Sequence, residues 1–424
     1  MRWLYQIAMV ALLPFALLHL AWRGRRQTRG TDAWRERLAH VPVREDAPLW
    51  VHAASVGEVQ AAVPLIRALL NRAPDLPILI TTFTAAGRRR AEEALGDSIS
   101  YLTAPYDLPW IVSRFLRRVR PRMLLVMETE LWLNLFERTH ARRIPLVMAS
   151  ARLSERSADR YLRVRGLTRR ILGCASLICA QTAADAERFK QVGAEPDRVV
   201  VTGNVKFDLT IPGHAGEEAE ALRRMLFGGR SVWIAASTHP GEEEKVLDAH
   251  EQILTERPDA LLVLVPRHPD RASAVASLVR NRGFGLVRRS AMQPCTPETG
   301  VFLVDTLGEL VTFYAAADVA FVGGSLVPIG GHNLLEPAAL GVATLTGPYN
   351  DNAADIAERL IQAGAVRQVH NAAQLARTVL ELMENPERRA RLGEAGRSAV
   401  EANRGGVARL IEFLESWLDL GEGP

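Results

Sequence analysis

Residues 49–70 read LWVHAASVGEVQAAVPLIRALL. An apolar run meets a turn of small residues, and a helix-like pattern follows. A short, continuously apolar run bounded by a turn is what a strand covered on both faces needs. The same unit recurs outward from it. PILITTF (77–83), MLLVME (123–128), IPLVMAS (144–150), SLICAQT (176–182) and VVVTGN (199–204) read as further buried parallel strands, with helix-like stretches such as 85–95 and 183–192 between some of them. Strands alternating with helices predict an α/β chain built on an open, doubly wound sheet.

The rhythm breaks at 208–230, DLTIPGHAGEEAEALRRMLFGGR, where Pro212, Gly213, Gly216 and the Gly228-Gly229 pair surround a short charged helix. That composition predicts an interdomain linker. Strands then resume at SVWIAAST (231–238), ALLVLVPR (260–267), FGLVRR (284–289), VFLVDT (301–306), DVAFVGGS (318–325) and VATLTGP (342–348). From Ala372 the tail is helical and charge-rich. Four regions follow: 1–30, 31–207, the linker 208–230, and 231–424. Two α/β domains of similar size predict a cleft, with ligands beyond the carboxyl ends of the strands.

The chain has 424 residues, enough for two or three full cores. Its formal net charge is +4, and no Arg/Lys run is interleaved with aromatics, so nucleic acid is not the expected partner. Three cysteines, Cys174, Cys179 and Cys295, fit neither a zinc site nor a disulfide framework. They point to a reducing compartment. Residues 3–22, WLYQIAMVALLPFALLHLAW, have about the length of a bilayer span, with Trp and Tyr near the ends and Arg23, Arg25, Arg26 and Arg29 directly after. The flank WRGRR is unlike a cleavage site, so an uncleaved membrane-anchor helix is expected. The basic side places the remainder of the chain in the cytoplasm.

Chemistry-bearing residues stand just after the strands. Glu58 in SVGE and Glu128 in METE would share the cleft edge of the first sheet and are candidates for acid–base work. A glutamate at a helix start is also a plain dipole partner. Lys206 in GNVKFD offers a cation where the chain leaves the first domain. In the second half, Gly323-Gly324-Ser325 and Gly330-Gly331-His332-Asn333 lead into LLEPAALG. Glycines admit close approach, and a helix start offers N–H groups to an anion. Glu336 in the first turn suits ribose hydroxyls. Arg267 and His268 in PRHPDR, and His239 in STHPGEEE, are candidate donors to a phosphate or base. There is no Walker A loop, no G-x-G-x-x-G after the first strand, no H-E-x-x-H and no D-x-D pair. Their lack disfavours an ATPase, a simple dehydrogenase and a metal-dependent transferase.

SVGE, ETELW, TGNVKFD, STHPGEE, PRHPDR and GGHNLLEP, in this order behind an apolar N-terminus, resemble the 3-deoxy-D-manno-octulosonic acid (Kdo) transferases of lipopolysaccharide biosynthesis. The resemblance spans about Trp3 to Val400. It implies a GT-B fold of two Rossmann-like domains, an acceptor-binding one at 31–207 and a CMP-Kdo-binding one at 231–424. It implies CMP-Kdo as donor and co-substrate, with no cofactor and no metal. The implied acceptor is the tetraacyl disaccharide 1,4'-bisphosphate precursor of lipid A, met at the cytoplasmic face of the inner membrane. It implies Glu58 as general base, with Glu128 and Lys206 assisting the transition state. CMP contacts map onto Pro266, Arg267, Leu307, Gly308, Glu309, Asn333, Leu334, Leu335 and Glu336. Leu133 and Leu334 stand where the family commonly has proline; neither change removes a polar group. Two other readings stay open on the residues alone: a GT-B transferase or epimerase using a UDP-sugar, and a non-catalytic nucleotide-binding membrane scaffold.

Overall fold

The computed structural model describes residues 3, 5–7, 9–11 and 33–418. Two compact units form, Met1–Asp208 with Asn403–Pro424, and Leu209–Ala402.

In the first unit β1 (Leu49–His52), β2 (Ile78–Thr82), β3 (Ser100–Thr103), β4 (Met123–Met127), β5 (Leu146–Ala151), β6 (Leu177–Ala180) and β7 (Val199–Val201) make one parallel sheet in the order β3-β2-β1-β4-β5-β6-β7. Side chains alternate across a strand. Leu49 and Val51 therefore enter one core, under the helix Val56–Arg72, while Trp50 enters the other, with Phe115 and Phe136. Both faces are covered, which explains the unbroken apolar runs.

In the second unit β8 (Val232–Thr238), β9 (Leu261–Pro266), β10 (Gly285–Arg288), β11 (Thr299–Leu303), β12 (Val319–Val322), β13 (Ala343–Thr346) and β14 (Val366–Gln368) form a second parallel sheet, ordered β10-β11-β9-β8-β12-β13-β14. Strand order reverses at β1/β4 in the first sheet and at β8/β12 in the second. Loops diverge there and leave a crevice at the carboxyl ends.

The sequence reading misses β3 and β14. Both are edge strands. SYLT is half-buried over its first three residues, and VRQ is three residues long, so neither carries an apolar run.

The boundaries also differ from those expected. Residues 209–230 are packed into the second unit instead of forming a free linker. The helix Ala215–Leu222 lies against Leu310–Ala315. The Arg223 guanidinium clamps the Asp318 carboxylate at 2.9 and 3.2 Å and the Ala316 carbonyl at 3.0 Å. The tail returns to the first unit. The helix Gly406–Leu418 buries Val407, Leu410, Ile411, Leu414 and Leu418 in the core beside β1. Each fully buried leucine contributes about 2 kcal/mol. Asp208 fixes its start by accepting the N–H groups of Gly405 and Val407, both at 2.5 Å. The expected anchor, residues 3–22, lies outside the described residues beyond position 11, as does the arginine cluster 23–29. Among the described residues no helix is long and apolar enough to cross a membrane. Before that point, Tyr5 donates to the Asp107 carboxylate at 2.7 Å and packs on the second core.

Candidate active site

Glu58 sits at the switch point of the first sheet, in the first turn after β1. Ser55 is the N-cap, and its hydroxyl accepts the Glu58 N–H at 3.3 Å. The Glu58 carboxylate folds back to accept from Ala54 N–H and the Ser55 hydroxyl, both at 2.8 Å. S-x-x-E is thus a variant of the capping box, in which the carboxylate takes the N–H of the residue before the N-cap. Capping alone leaves a carboxylate acidic, yet Glu58 is 7% exposed and its carboxyl is raised from the ordinary 4.5 to about 7. Burial is the main cause, then the negative charge of Glu130. The two hydrogen bonds pull the other way, and Glu128 adds a smaller push upward. A buried acid beside like charges is the arrangement that sets a carboxylate near neutral pH. A Cβ at Gly57 would meet nothing nearer than Ser55 Oγ at 3.9 Å, so packing does not demand glycine there. It keeps the space beside Glu58 open.

Glu128 directly follows β4 with φ +53, a left-handed backbone that non-glycine residues seldom adopt. Such outliers gather at functional sites. Its carboxylate pairs with the Lys206 ammonium at 2.6 Å, with side chains 23% and 16% exposed. The structure therefore brings together the three residues expected from sequence, and it adds a fourth, Glu130. Trp132 Nε1 donates to Glu130 at 2.5 Å. The Trp132 ring meets His52 edge-on at 4.8 Å. His52 is buried and held down to about 4 by burial, so it is neutral; its Nδ1 lies 3.0 Å from Thr81 Oγ1, which accepts Trp50 Nε1 at 2.8 Å. This buried file of side chains fixes Glu130. Its only sequence signal is the two-residue spacing from Glu128 in METE, which puts a second carboxylate on the same loop.

At the switch point of the second sheet the glycine loop is built differently from expectation. Glu242, fully buried, accepts the N–H groups of Gly324 (2.7 Å), Ser325 (3.0 Å), Leu326 (2.8 Å) and His239 (3.3 Å). These amides are committed to an internal carboxylate. A Cβ at Gly323 would lie 2.7 Å from Glu242 Oε2, and one at Gly324, where φ is +68, would lie 2.9 Å from the His332 ring. Both glycines thus make room for side chains of the protein itself. Around this loop stand His239 after β8, the exposed Arg267 and His268 after β9, and His332.

The remaining nucleotide candidates are distributed over the same strand ends. Pro266 closes β9 and is buried. Leu307 is 81% exposed and Gly308 beside it has φ +86. The Glu309 carboxylate is held by Arg289 at 2.7 and 3.0 Å and by the Thr306 hydroxyl. Asn333 is exposed; its amide donates to Glu336 at 3.0 Å and its oxygen accepts Leu335 N–H at 3.1 Å. Leu334 and Leu335 are 1% and 2% exposed, so any contact from these two positions is a backbone contact. Among the described residues no group of three or more His, Cys, Asp or Glu is placed to hold a metal ion.

Comparison with known proteins agrees with this architecture. The family described as "3-Deoxy-D-manno-octulosonic-acid transferase (kdotransferase)" matches residues 32–209, and "Glycosyl transferases group 1" matches residues 290–399. The 3-deoxy-D-manno-octulosonic acid transferase of Haemophilus influenzae is 41% identical over 88% of this chain and 87% of its own length. The Bordetella pertussis protein of that name is 37% identical over 98% of this chain and 99% of its own. Among solved structures, the UDP-GlcNAc 2-epimerase of Neisseria meningitidis superposes with a TM-score of 0.57 at 16% identity, over 87% of this chain and all of that one, which is a likeness of fold. With two parallel-sheet units, an acidic switch point and relatives matched along nearly their whole length, the chain belongs to the 3-deoxy-D-manno-octulosonic acid (Kdo) transferase family and is a glycosyltransferase.

Proposed function

We propose that the chain transfers Kdo from CMP-Kdo to the tetraacyl disaccharide 1,4'-bisphosphate precursor of lipid A, without a metal and with inversion at the anomeric carbon. The observation that carries this reading is Glu58. Its carboxyl is raised to about 7, so at neutral pH about half of it is ionised, and that half is basic enough to take a proton. In the proposed reaction Glu58 removes the proton of the acceptor hydroxyl as that oxygen attacks, and CMP departs from the opposite face. Open space beside Gly57 gives the hydroxyl access. Lys206, held by Glu128, meets the Kdo carboxylate or the developing negative charge. The second unit takes CMP through Arg267, the exposed Leu307 with Gly308, and the Asn333–Glu336 turn. The 1–30 region holds the enzyme at the cytoplasmic face of the inner membrane, where the acylated acceptor lies.

The test is direct. Purified chain is given CMP-Kdo and the tetraacyl acceptor, and the product is weighed. A mass gain of one or more Kdo units is expected, with Glu58→Gln giving no product while still binding CMP. Transfer from a UDP-sugar but not CMP-Kdo would refute the donor assignment, and a fully active Glu58→Gln would refute the base.

A further inference from the structure

Three histidines meet at the carboxyl ends of β8, β9 and β12. The rings of His239 and His332 lie nearly parallel, 10° apart with centroids at 5.0 Å, and their Nε2 atoms are 2.8 Å apart. The ring of His268 stands edge-on to His239 at 5.8 Å. Two imidazole nitrogens at 2.8 Å share one hydrogen, one ring donating and the other accepting. Protonating both rings would set two donors against each other.

The charges facing the pair are mostly positive. His239 is lowered by burial and by His268, Arg267 and Arg271, with Glu243 pulling upward. His332 is held down to about 4 by burial, His239, Arg267 and His268. The two nearby carboxylates are both committed. Glu242 serves four backbone N–H groups, and Glu243 takes both terminal nitrogens of Arg271 at 2.7 and 3.2 Å. Neither carboxylate is hydrogen-bonded to a ring of the cluster, so an incoming anion would be the first negative group to bond these rings directly.

We propose that His239, His332, His268 and Arg267 form a proton-linked seat for the phosphodiester of the nucleotide donor. This rests on the donor reading above. The anion parts the His239–His332 hydrogen bond, one ring takes a proton from solvent, and both rings then donate to phosphate oxygens. One proton enters per nucleotide bound, and no covalent bond changes. Because the bound state holds the extra proton, affinity rises as pH falls, approaching about tenfold per pH unit across the neutral range.

The experiment is calorimetry on the full chain with the methyl phosphodiester of cytidine 5'-monophosphate, which has no titrating group of its own near neutral pH. Titrations in two buffers of different ionisation enthalpy count the protons. About one proton taken up is expected, falling toward zero in His332→Gln and His239→Gln, with the pH dependence of affinity flattened. Binding with no proton uptake in the unsubstituted chain, or uptake unchanged in both variants, overturns the seat and leaves the donor reading standing. No binding of the diester at any pH overturns both.

Discussion

Replacing Glu130 by glutamine tests why Glu58 titrates near neutral. The Glu58 carboxyl is raised from 4.5 to about 7, a rise that corresponds to about 3 kcal/mol against ionisation. Burial is the largest cause and Glu130 the next. Glutamine at 130 keeps an oxygen for the Trp132 indole N–H, 2.5 Å away, so the loop keeps its shape while the charge disappears. The Glu58 carboxyl should then fall by roughly one unit. In the proposed reaction Glu58 acts ionised, so rate should rise with pH through this value. At about pH 6 the ionised fraction grows from about one in ten to about one in two. The weaker base lowers the plateau a few-fold, roughly as Brønsted behaviour expects. The assay is kcat at saturating donor and acceptor against pH, from about pH 5 to about pH 9, with product measured by mass, so that the pH dependence of donor affinity drops out. The acid limb should lie near 7 in the unsubstituted enzyme and move about one unit downward in Glu130→Gln. A limb that does not move refutes the role given to Glu130. An unsubstituted limb near the ordinary carboxylate value refutes the burial argument itself.

Glu58→Gln should abolish transfer and stabilise the fold at alkaline pH. A carboxyl raised by folding binds its proton more tightly in the folded state, so the penalty is absent below about 4.5, grows through 7 and is full above it. After losses at the Ala54 and Ser55 hydrogen bonds, a gain of about 1–2 kcal/mol should remain, seen as a higher Tm above neutral pH and little change in acid. Lys206→Met should reduce kcat/KM by roughly a hundredfold through the loss of a charge at the reacting centre, with CMP affinity unchanged by calorimetry. Glu242→Ala orphans buried N–H groups of Gly324, Ser325 and Leu326, and should cost about 3–5 kcal/mol in denaturant unfolding together with nucleotide binding.

The parts of the fold legible in the sequence are those whose signal is local. Ten of the fourteen strands are interior and almost wholly buried, and an apolar run reports that directly; the edge strands β7 and β10 still carry short apolar runs. Edge strands SYLT and VRQ carry no such run. The return of Gly406–Leu418 to the first core is a long-range contact, and its apolar spacing tells that it packs but not on what. At the site, Glu58, Glu128 and Lys206 were expected because each lies on the segment that follows a strand, Glu128 immediately after β4 and the other two a turn beyond β1 and β7. Glu242 was not, since STHPGEEE presents three successive glutamates and only the folded turn decides which one enters the loop. The glycines of GGS announced a close approach. That they admit Glu242 and His332 depends on side chains from two other segments.

The two switch points oppose each other in pH, and this makes the assignments separable. In the first sheet the proposed base, a carboxylate buried beside Glu130 and Glu128, acts once its proton is lost, so that step should favour higher pH. In the second, the loop amides Gly324 to Leu326 are already spent on Glu242, so recognition of a phosphate falls to His239, His332, His268 and Arg267. That seat gains a proton on binding and favours lower pH. At saturating substrate kcat should therefore rise with pH as Glu58 ionises, while donor affinity should fall over the same range because the histidine seat must gain a proton on binding. Glu130→Gln moves the rise in kcat to lower pH, His332→Gln flattens the pH dependence of donor affinity, and the double variant should show both changes independently, because the two clusters lie in different units. If either single variant shifts the profile assigned to the other, the division of labour between base and nucleotide seat is wrong.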